Sequence, residues 1–206
     1  MISSSRQPAA PEPTATGGMK RLCVYCGSNT GNQPVFAAAA KELAMLLAAA
    51  KIELVYGGSS NGIMGILADA VLEAGGRVTG VIPRALMDRE VGHTGLTELH
   101  VVSSMHERKS LMGVLADGFA ALPGGYGTLE EIIEILTWGQ LRFHSKPCGL
   151  LNVNGYFDDL LRYLDRAVAS GFLRPQHRAM LMVADKPAGL LQQFSSYVPP
   201  TAEKWT

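Results

Sequence analysis

From Lys20 onward, short apolar runs alternate with longer segments whose apolar residues recur every three or four positions. Arg21–Tyr25, Ile52–Tyr56, Val78–Ile82, Phe119–Leu122 and Cys148–Leu151 have strand length. They are apolar at nearly every position, as strands covered on both faces are. Glu98–Val102 is a sixth, more polar strand. The periodic segments predict helices over Pro34–Ala50, about Gly62–Glu73, Met105–Leu115, Leu129–Leu141, Tyr156–Ala169 and Pro187–Ser195. Pro34 suits a first helical turn and Gly75-Gly76 a helix stop. Repeated strand–helix units of this kind predict an α/β fold: a doubly wound, mostly parallel sheet with helices on both faces, forming one domain over residues 20–206.

Composition narrows the function. The 206 residues suffice for a single sizeable core, and 47% hydrophobic with 17% charged residues place the chain among globular proteins. Net charge is zero and no basic block occurs, which argues against nucleic acid or an anionic membrane as a partner. No apolar run approaches the roughly 20 residues of a membrane helix. The opening MISSSRQPAAPEPTATGG lacks the apolar core of a secretory signal, so a disordered arm over residues 1–19 and a cytoplasmic location are expected. Cys23 and Cys26 form C-x-x-C, yet three-residue spacing on a strand sends the side chains to opposite faces. A shared metal or a disulfide is therefore not expected.

Ligands of such sheets bind beyond the carboxyl ends of the strands, and three glycine-rich loops fall there. They are Cys26-Gly27-Ser28-Asn29-Thr30-Gly31, Gly57-Gly58-Ser59-Ser60-Asn61-Gly62 and Pro123-Gly124-Gly125-Tyr126-Gly127-Thr128. None is a P-loop, because no Lys-Ser or Lys-Thr follows the glycines. The second has Ser59 where a dinucleotide fingerprint needs glycine, and the next strand ends Ile-Pro-Arg without an acidic residue for ribose. A mononucleotide site fits better. In the third loop the glycines permit close ligand approach, and the following helix offers free N–H groups to a phosphate. The same ten residues also read as folding grammar, with Thr128 and Glu131 forming a capping box.

The segment Ser103-Ser104-Met105-His106-Glu107-Arg108-Lys109 adds a second capping box, Ser104 with Glu107. Arg108 shares a helical stripe with Met105, Leu111, Met112 and Leu115. A guanidinium on an apolar stripe must snorkel to solvent or meet an anion, either a ligand or an internal carboxylate such as Glu131. Met64, Met87 and Met112 are candidates for an apolar slot.

Pro123 through Glu131 matches the P-G-G-x-G-T-x-x-E signature of the LOG ("lonely guy") family, and Met105–Lys109 matches its M-x-x-R-K segment. Cys26-Gly27-Ser28, Tyr56-Gly57-Gly58 with Gly62 to Gly65, Gly80 to Pro83, and Lys146-Pro147 through Gly155-Tyr156 also resemble it, in order, from about Lys20 to Ser170 and beyond. Ser59, where many relatives carry a third glycine, departs from the pattern. The resemblance implies a Rossmann-like homodimer acting as a cytokinin riboside 5′-monophosphate phosphoribohydrolase. It would need neither metal nor cofactor. Such an enzyme cleaves the N-glycosidic bond of a nucleoside 5′-monophosphate, giving an adenine-type base and ribose 5-phosphate. By similarity Arg108 and Glu131 are the catalytic pair. Glu90, Lys109, Gly124, Gly125, Tyr126, Gly127, Thr128, Leu129, Glu130 and Thr137 would line the nucleotide site, with Gly27, Ser28 and Gly58 from the other two loops. Cleaving a ribosyl bond builds positive charge on the sugar, and a carboxylate at Glu131 can stabilise it and activate water. Family members have also been labelled possible lysine decarboxylases, a chemistry requiring a Schiff-base lysine for which Lys109 is the nearest candidate. A non-catalytic nucleotide sensor on the same sheet is the other alternative.

Overall fold

Successive side chains of β1 (Arg21–Tyr25) leave on opposite faces and enter two different cores. Leu22 and Val24 join one cluster, Cys23 and Tyr25 the other. The structure, a computed structural model, describes residues 18–87 and 92–199. Around β1 lie β2 (Glu53–Tyr56), β3 (Val78–Pro83), β4 (Glu98–Val102), β5 (Gly118–Ala121), β6 (Cys148–Leu151) and β7 (Leu181–Ala184). They form one sheet in the order β4-β3-β2-β1-β5-β6-β7, with every neighbouring pair parallel. The first core is roofed by α1 (Pro34–Ala49), α2 (Gly62–Glu73) and α8 (Pro187–Ser195). The second is covered by α4 (Met105–Leu115), α5 (Tyr126–Gln140) and α6 (Asp158–Ala169). Two single-turn helices, α3 (Arg84–Met87) and α7 (Pro175–Arg178), complete the set among the described residues. This is the expected doubly wound α/β architecture, and its sheet is wholly parallel.

Three features differ from the sequence reading. The edge strand β7 was not anticipated. Its neighbour α7 is too short to show periodicity, so the apolar run Met180–Ala184 lacked context. Helix α6 begins at Asp158, after a 3-10 turn over Val153–Gly155 whose last two residues have positive φ (52° and 71°). Most consequential, α5 begins at Tyr126, three residues early. Gly125 is its N-cap and makes no side-chain capping bond, so Thr128 lies inside the first turn and the capping box expected at Thr128 and Glu131 does not form. Glycines lower helix propensity and made this turn look like loop. The first turn tolerates them, because its N–H groups have no helical partner anyway.

Cys23 and Cys26, on opposite faces, are buried and unpaired, as is Cys148. Among the described residues no helix is long and apolar enough to cross a membrane. The arm expected over residues 1–19 lies, through residue 17, outside the described residues.

The chain winds outward from β1 through β2 and β3 to β4, then returns to lay β5 on the other side of β1. That reversal is the topological switch point, where the loops leaving β1 and β5 diverge and open a crevice.

Candidate active site

The crevice is a cavity of about 450 Å³ walled by the β1 loop, Cys26 to Gly31, and by Pro123 to Thr128 after β5. Phe36, Ile63, Met64, Leu86, Met105 and Tyr156 supply apolar surface, and Arg108, Glu130 and Glu131 supply charge. The two loops are tied together, since the Gly27 N–H donates to the Pro123 carbonyl at 3.2 Å. A side chain at Gly124 would collide with the Thr128 hydroxyl and come within 2.8 Å of the Gly27 nitrogen, so only glycine permits this approach. The first helical bond of α5 runs from the Leu129 N–H to the Gly125 carbonyl at 3.2 Å. The N–H groups of Tyr126, Gly127 and Thr128 therefore have no acceptor among the described residues, and all three residues line the cavity. Free N–H groups and the positive end of a helix dipole suit an anion.

The facing wall comes from α4. Its N-cap Ser104 accepts the Glu107 N–H at 3.1 Å. Glu107 reaches back to the Ser103 N–H at 2.7 Å and the Ser103 hydroxyl at 2.6 Å, one residue earlier than a standard capping box. Those two bonds hold the Glu107 carboxyl below its usual range. The helix thus started places Arg108 on its inner side, 7% exposed, opposite Glu131 at 8%. Arg108 Nη2 stands 3.6 Å from Glu131 Oε1. The two readings of Arg108 therefore coincide: it pairs with the internal carboxylate and also lines the cavity. Its Nε has no hydrogen-bond partner among the described residues. The guanidinium lies against the backbone at Gly57, just beyond β2, where any β-carbon would collide with Nη2. Burial, and behind it the Glu131 carboxylate, pushes the Cys26 thiol up. Glu131 thus sits electrically over the carboxyl end of β1.

Of the residues expected in the site, Gly27, Ser28, Arg108, Gly124, Gly125, Tyr126, Gly127, Thr128, Glu130 and Glu131 converge on the cavity. Others stand outside it. The Gly58 carbonyl accepts the His93 N–H at 3.0 Å behind the wall. Leu129 packs against the second core. The Thr137 hydroxyl turns back to the Ile133 carbonyl at 2.8 Å on the exposed side of α5. Lys109 binds Glu130 at 2.5 Å and Glu134 at 2.9 Å. Burial opposes its charge, but hydrogen bonds to these carboxylates prevail and raise it above the ordinary lysine value. Glu90 lies outside the described residues. Of the methionines considered for an apolar slot, Met64 lines the cavity and Met112 is buried in the second core. Phe36 and Tyr156 were missed, although Tyr156 follows the carboxyl end of β6, where a doubly wound sheet collects its ligand loops. Among the described residues no three His, Cys, Asp or Glu side chains cluster to hold a metal ion.

Comparison with known proteins places these features in context. Residues 64–194 match a family model described as "Possible lysine decarboxylase". A probable cytokinin riboside 5′-monophosphate phosphoribohydrolase of Oryza sativa subsp. japonica is 48% identical over 200 residues, covering 95% of this chain and 88% of the relative. A cytokinin riboside 5′-monophosphate phosphoribohydrolase of Arabidopsis thaliana is 48% identical over 180 residues, covering 87% of this chain and 79% of its own. In fold, the molybdenum cofactor binding protein of Rippkaea orientalis superposes with a TM-score of 0.64 at 21% identity, covering 88% of this chain and 98% of that one.

Proposed function

From the premise that this chain belongs to the LOG family of cytokinin riboside 5′-monophosphate phosphoribohydrolases, we infer that it hydrolyses the N-glycosidic bond of adenosine 5′-monophosphates, N6-substituted ones included. Free base and ribose 5-phosphate are the products. The observation that carries this reading is that one helix, α5, brings to a single cavity both an N-terminus with free N–H groups and, one turn on, a buried carboxylate.

In the reaction the phosphate rests on the N–H groups of residues 125–128, which fixes the ribose inside the cavity. As the bond between C1′ and the base nitrogen lengthens, its electron pair leaves with the base and positive charge gathers on the sugar. Glu131 faces that charge, stabilises it, and takes a proton from the water whose oxygen attacks C1′. That proton balances the one acquired by the departing base. Arg108, 3.6 Å away, pairs with the carboxylate and keeps it aimed. The apolar wall of Ile63, Met64, Leu86 and Met105 receives the base.

Lysine decarboxylation needs a lysine that gives up its proton to form an imine. Lys109 is held as a cation by Glu130 and Glu134. Burial does lower Lys146, but it precedes β6 at the other end of the sheet and bonds the Gly113 carbonyl at 2.8 Å. Neither lysine suits that chemistry.

A homodimer in the cytoplasm completes the reading. Ile133 on α5 and Val114 on α4 are 38% and 74% exposed, apolar area that a second copy would cover. The three unpaired cysteines accord with a reducing compartment.

Incubation with AMP and N6-isopentenyl-AMP, followed by chromatography, tests the function. Free base with ribose 5-phosphate is expected; nucleotide that binds but stays intact would leave a sensor instead.

A further inference from the structure

Tyr156 stands on the rim of the cavity, 44% exposed, with its hydroxyl donating to the Gly124 carbonyl at 2.7 Å. Its ring meets Phe36 edge-on at 5.5 Å and Phe157 at 5.0 Å. The turn that carries it is bolted to the sheet through Asn152. The Asn152 N–H donates to the Ala184 carbonyl of β7 at 2.8 Å, and its side-chain carbonyl accepts the Phe157 N–H at 2.7 Å. The side-chain amide also donates to Asp158 at 2.8 Å. A rigid mount thus delivers one hydroxyl to one carbonyl of the Pro-Gly-Gly loop.

A trans peptide is planar, and its C=O and N–H point in opposite directions. Holding the Gly124 carbonyl therefore fixes the direction of the Gly125 N–H, which has no partner among the described residues. The preceding peptide is fixed likewise, by the bond from the Gly27 N–H to the Pro123 carbonyl. Glycine on both sides of the 124–125 peptide makes its rotation easy, so without an external tether its N–H would sample both orientations. Only one of these adds a donor to the row at Tyr126, Gly127 and Thr128.

We propose that Tyr156 is a positioning residue that locks the Gly124–Gly125 peptide and so completes the anion cradle at the start of α5. The proposal rests on the reading of this pocket as a nucleotide 5′-monophosphate site. It makes Tyr156 a determinant of phosphate recognition rather than of the bond-breaking step.

Tyr156→Phe keeps the ring contacts and removes the tether. AMP and adenosine binding are compared by calorimetry in a Glu131→Gln background, so that bound AMP is not consumed. Loss of the hydroxyl is expected to weaken AMP binding about 3- to 10-fold, the range of one hydrogen bond. Adenosine binding stays unchanged. In the otherwise wild-type enzyme KM for AMP rises by the same factor, while kcat changes less. Gln33→Ala serves as control: it breaks the neighbouring bond between Asn154 and Gln33, 3.0 Å long, and leaves Tyr156 in place. It is expected to keep the wild-type affinity. Equal losses for AMP and adenosine, no loss for either, or the same loss in Gln33→Ala would each overturn the assignment. Failure of the wild-type protein to cleave AMP at all would instead overturn the hydrolase reading, and the binding comparison would still decide the role of Tyr156.

Discussion

Glu131→Gln separates chemistry from folding at the centre of the cavity. The substitution keeps side-chain volume and one carbonyl acceptor but removes the negative charge. At 3.6 Å from Arg108 and an effective dielectric of about 20, the lost attraction is roughly 4–5 kcal/mol. Against it stands the cost of holding an 8%-exposed carboxylate out of water, also several kcal/mol, which the neutral amide does not incur. The two cancel in part, but Arg108 stays buried without its counter-charge, so folding stability should fall by about 3 kcal/mol, a melting shift of about 6–12 °C for a chain of this size. No capping bond is at stake, because α5 starts at Tyr126 and Glu131 lies in its second turn. Catalysis has no such cancellation. A carboxylate that stabilises the sugar cation and deprotonates water contributes about 10²- to 10⁴-fold, all of which depends on the charge. Single-turnover release of adenine from AMP, measured beside a thermal melt, reads both quantities. A variant that stays folded and retains kcat within about tenfold of wild type would show that Glu131 is structural and that the proposed mechanism is wrong.

Two further outcomes follow from the same geometry. Gly57→Ala puts a methyl group where Arg108 Nη2 lies and within 3.0 Å of Met64 Sδ. The guanidinium can swing aside at small cost in stability but loses its place beside Glu131. A fall of about tenfold or more in kcat/KM with little change in melting temperature is expected; unaltered kinetics would mean that the seat of Arg108 does not matter. The third outcome concerns pH. His144 Nε2–H donates to the Ile135 carbonyl at 2.8 Å, and Nδ1 accepts the Lys146 N–H at 3.1 Å, so both nitrogens are engaged in the neutral form. Burial lowers its pKa below the ordinary 6.5. Below pH 6.5 the unfolded chain takes up the proton first, so the contribution of His144 to stability is present above that value and is lost as pH falls through the folded one. Urea midpoints between pH 7 and 5 should fall more steeply for wild type than for His144→Gln; parallel curves would refute the assignment.

Two periodicities make the fold legible in the sequence. Runs apolar at consecutive positions must be strands covered on both faces, and the stretches between them, apolar every three to four residues, can bury a stripe only as helices. Among the described residues these patterns account for six of the seven strands and every helix longer than a single turn. The glycine loops at the carboxyl ends of the strands, and the need of Arg108 for an anion such as Glu131, could likewise be read from the residues. Glycine marks where a backbone comes close, and an arginine on an apolar stripe must reach solvent or meet an anion. What one dimension could not contain is the order of the strands. The return of β5 to the far side of β1 creates the crevice, and only that crossing brings Gly27 against Pro123 and Arg108 against Glu131. The early start of α5, which leaves the N–H groups of Tyr126 to Thr128 without helical partners, runs against the low helix propensity of its glycine. The partner of Tyr156 has no local signal. Tyr156 is 32 positions from Gly124, and nothing in a linear pattern records that a phenol and a carbonyl that far apart share one hydrogen bond. Local sequence sets which residues can line a site, and the topology of the sheet decides which of them meet.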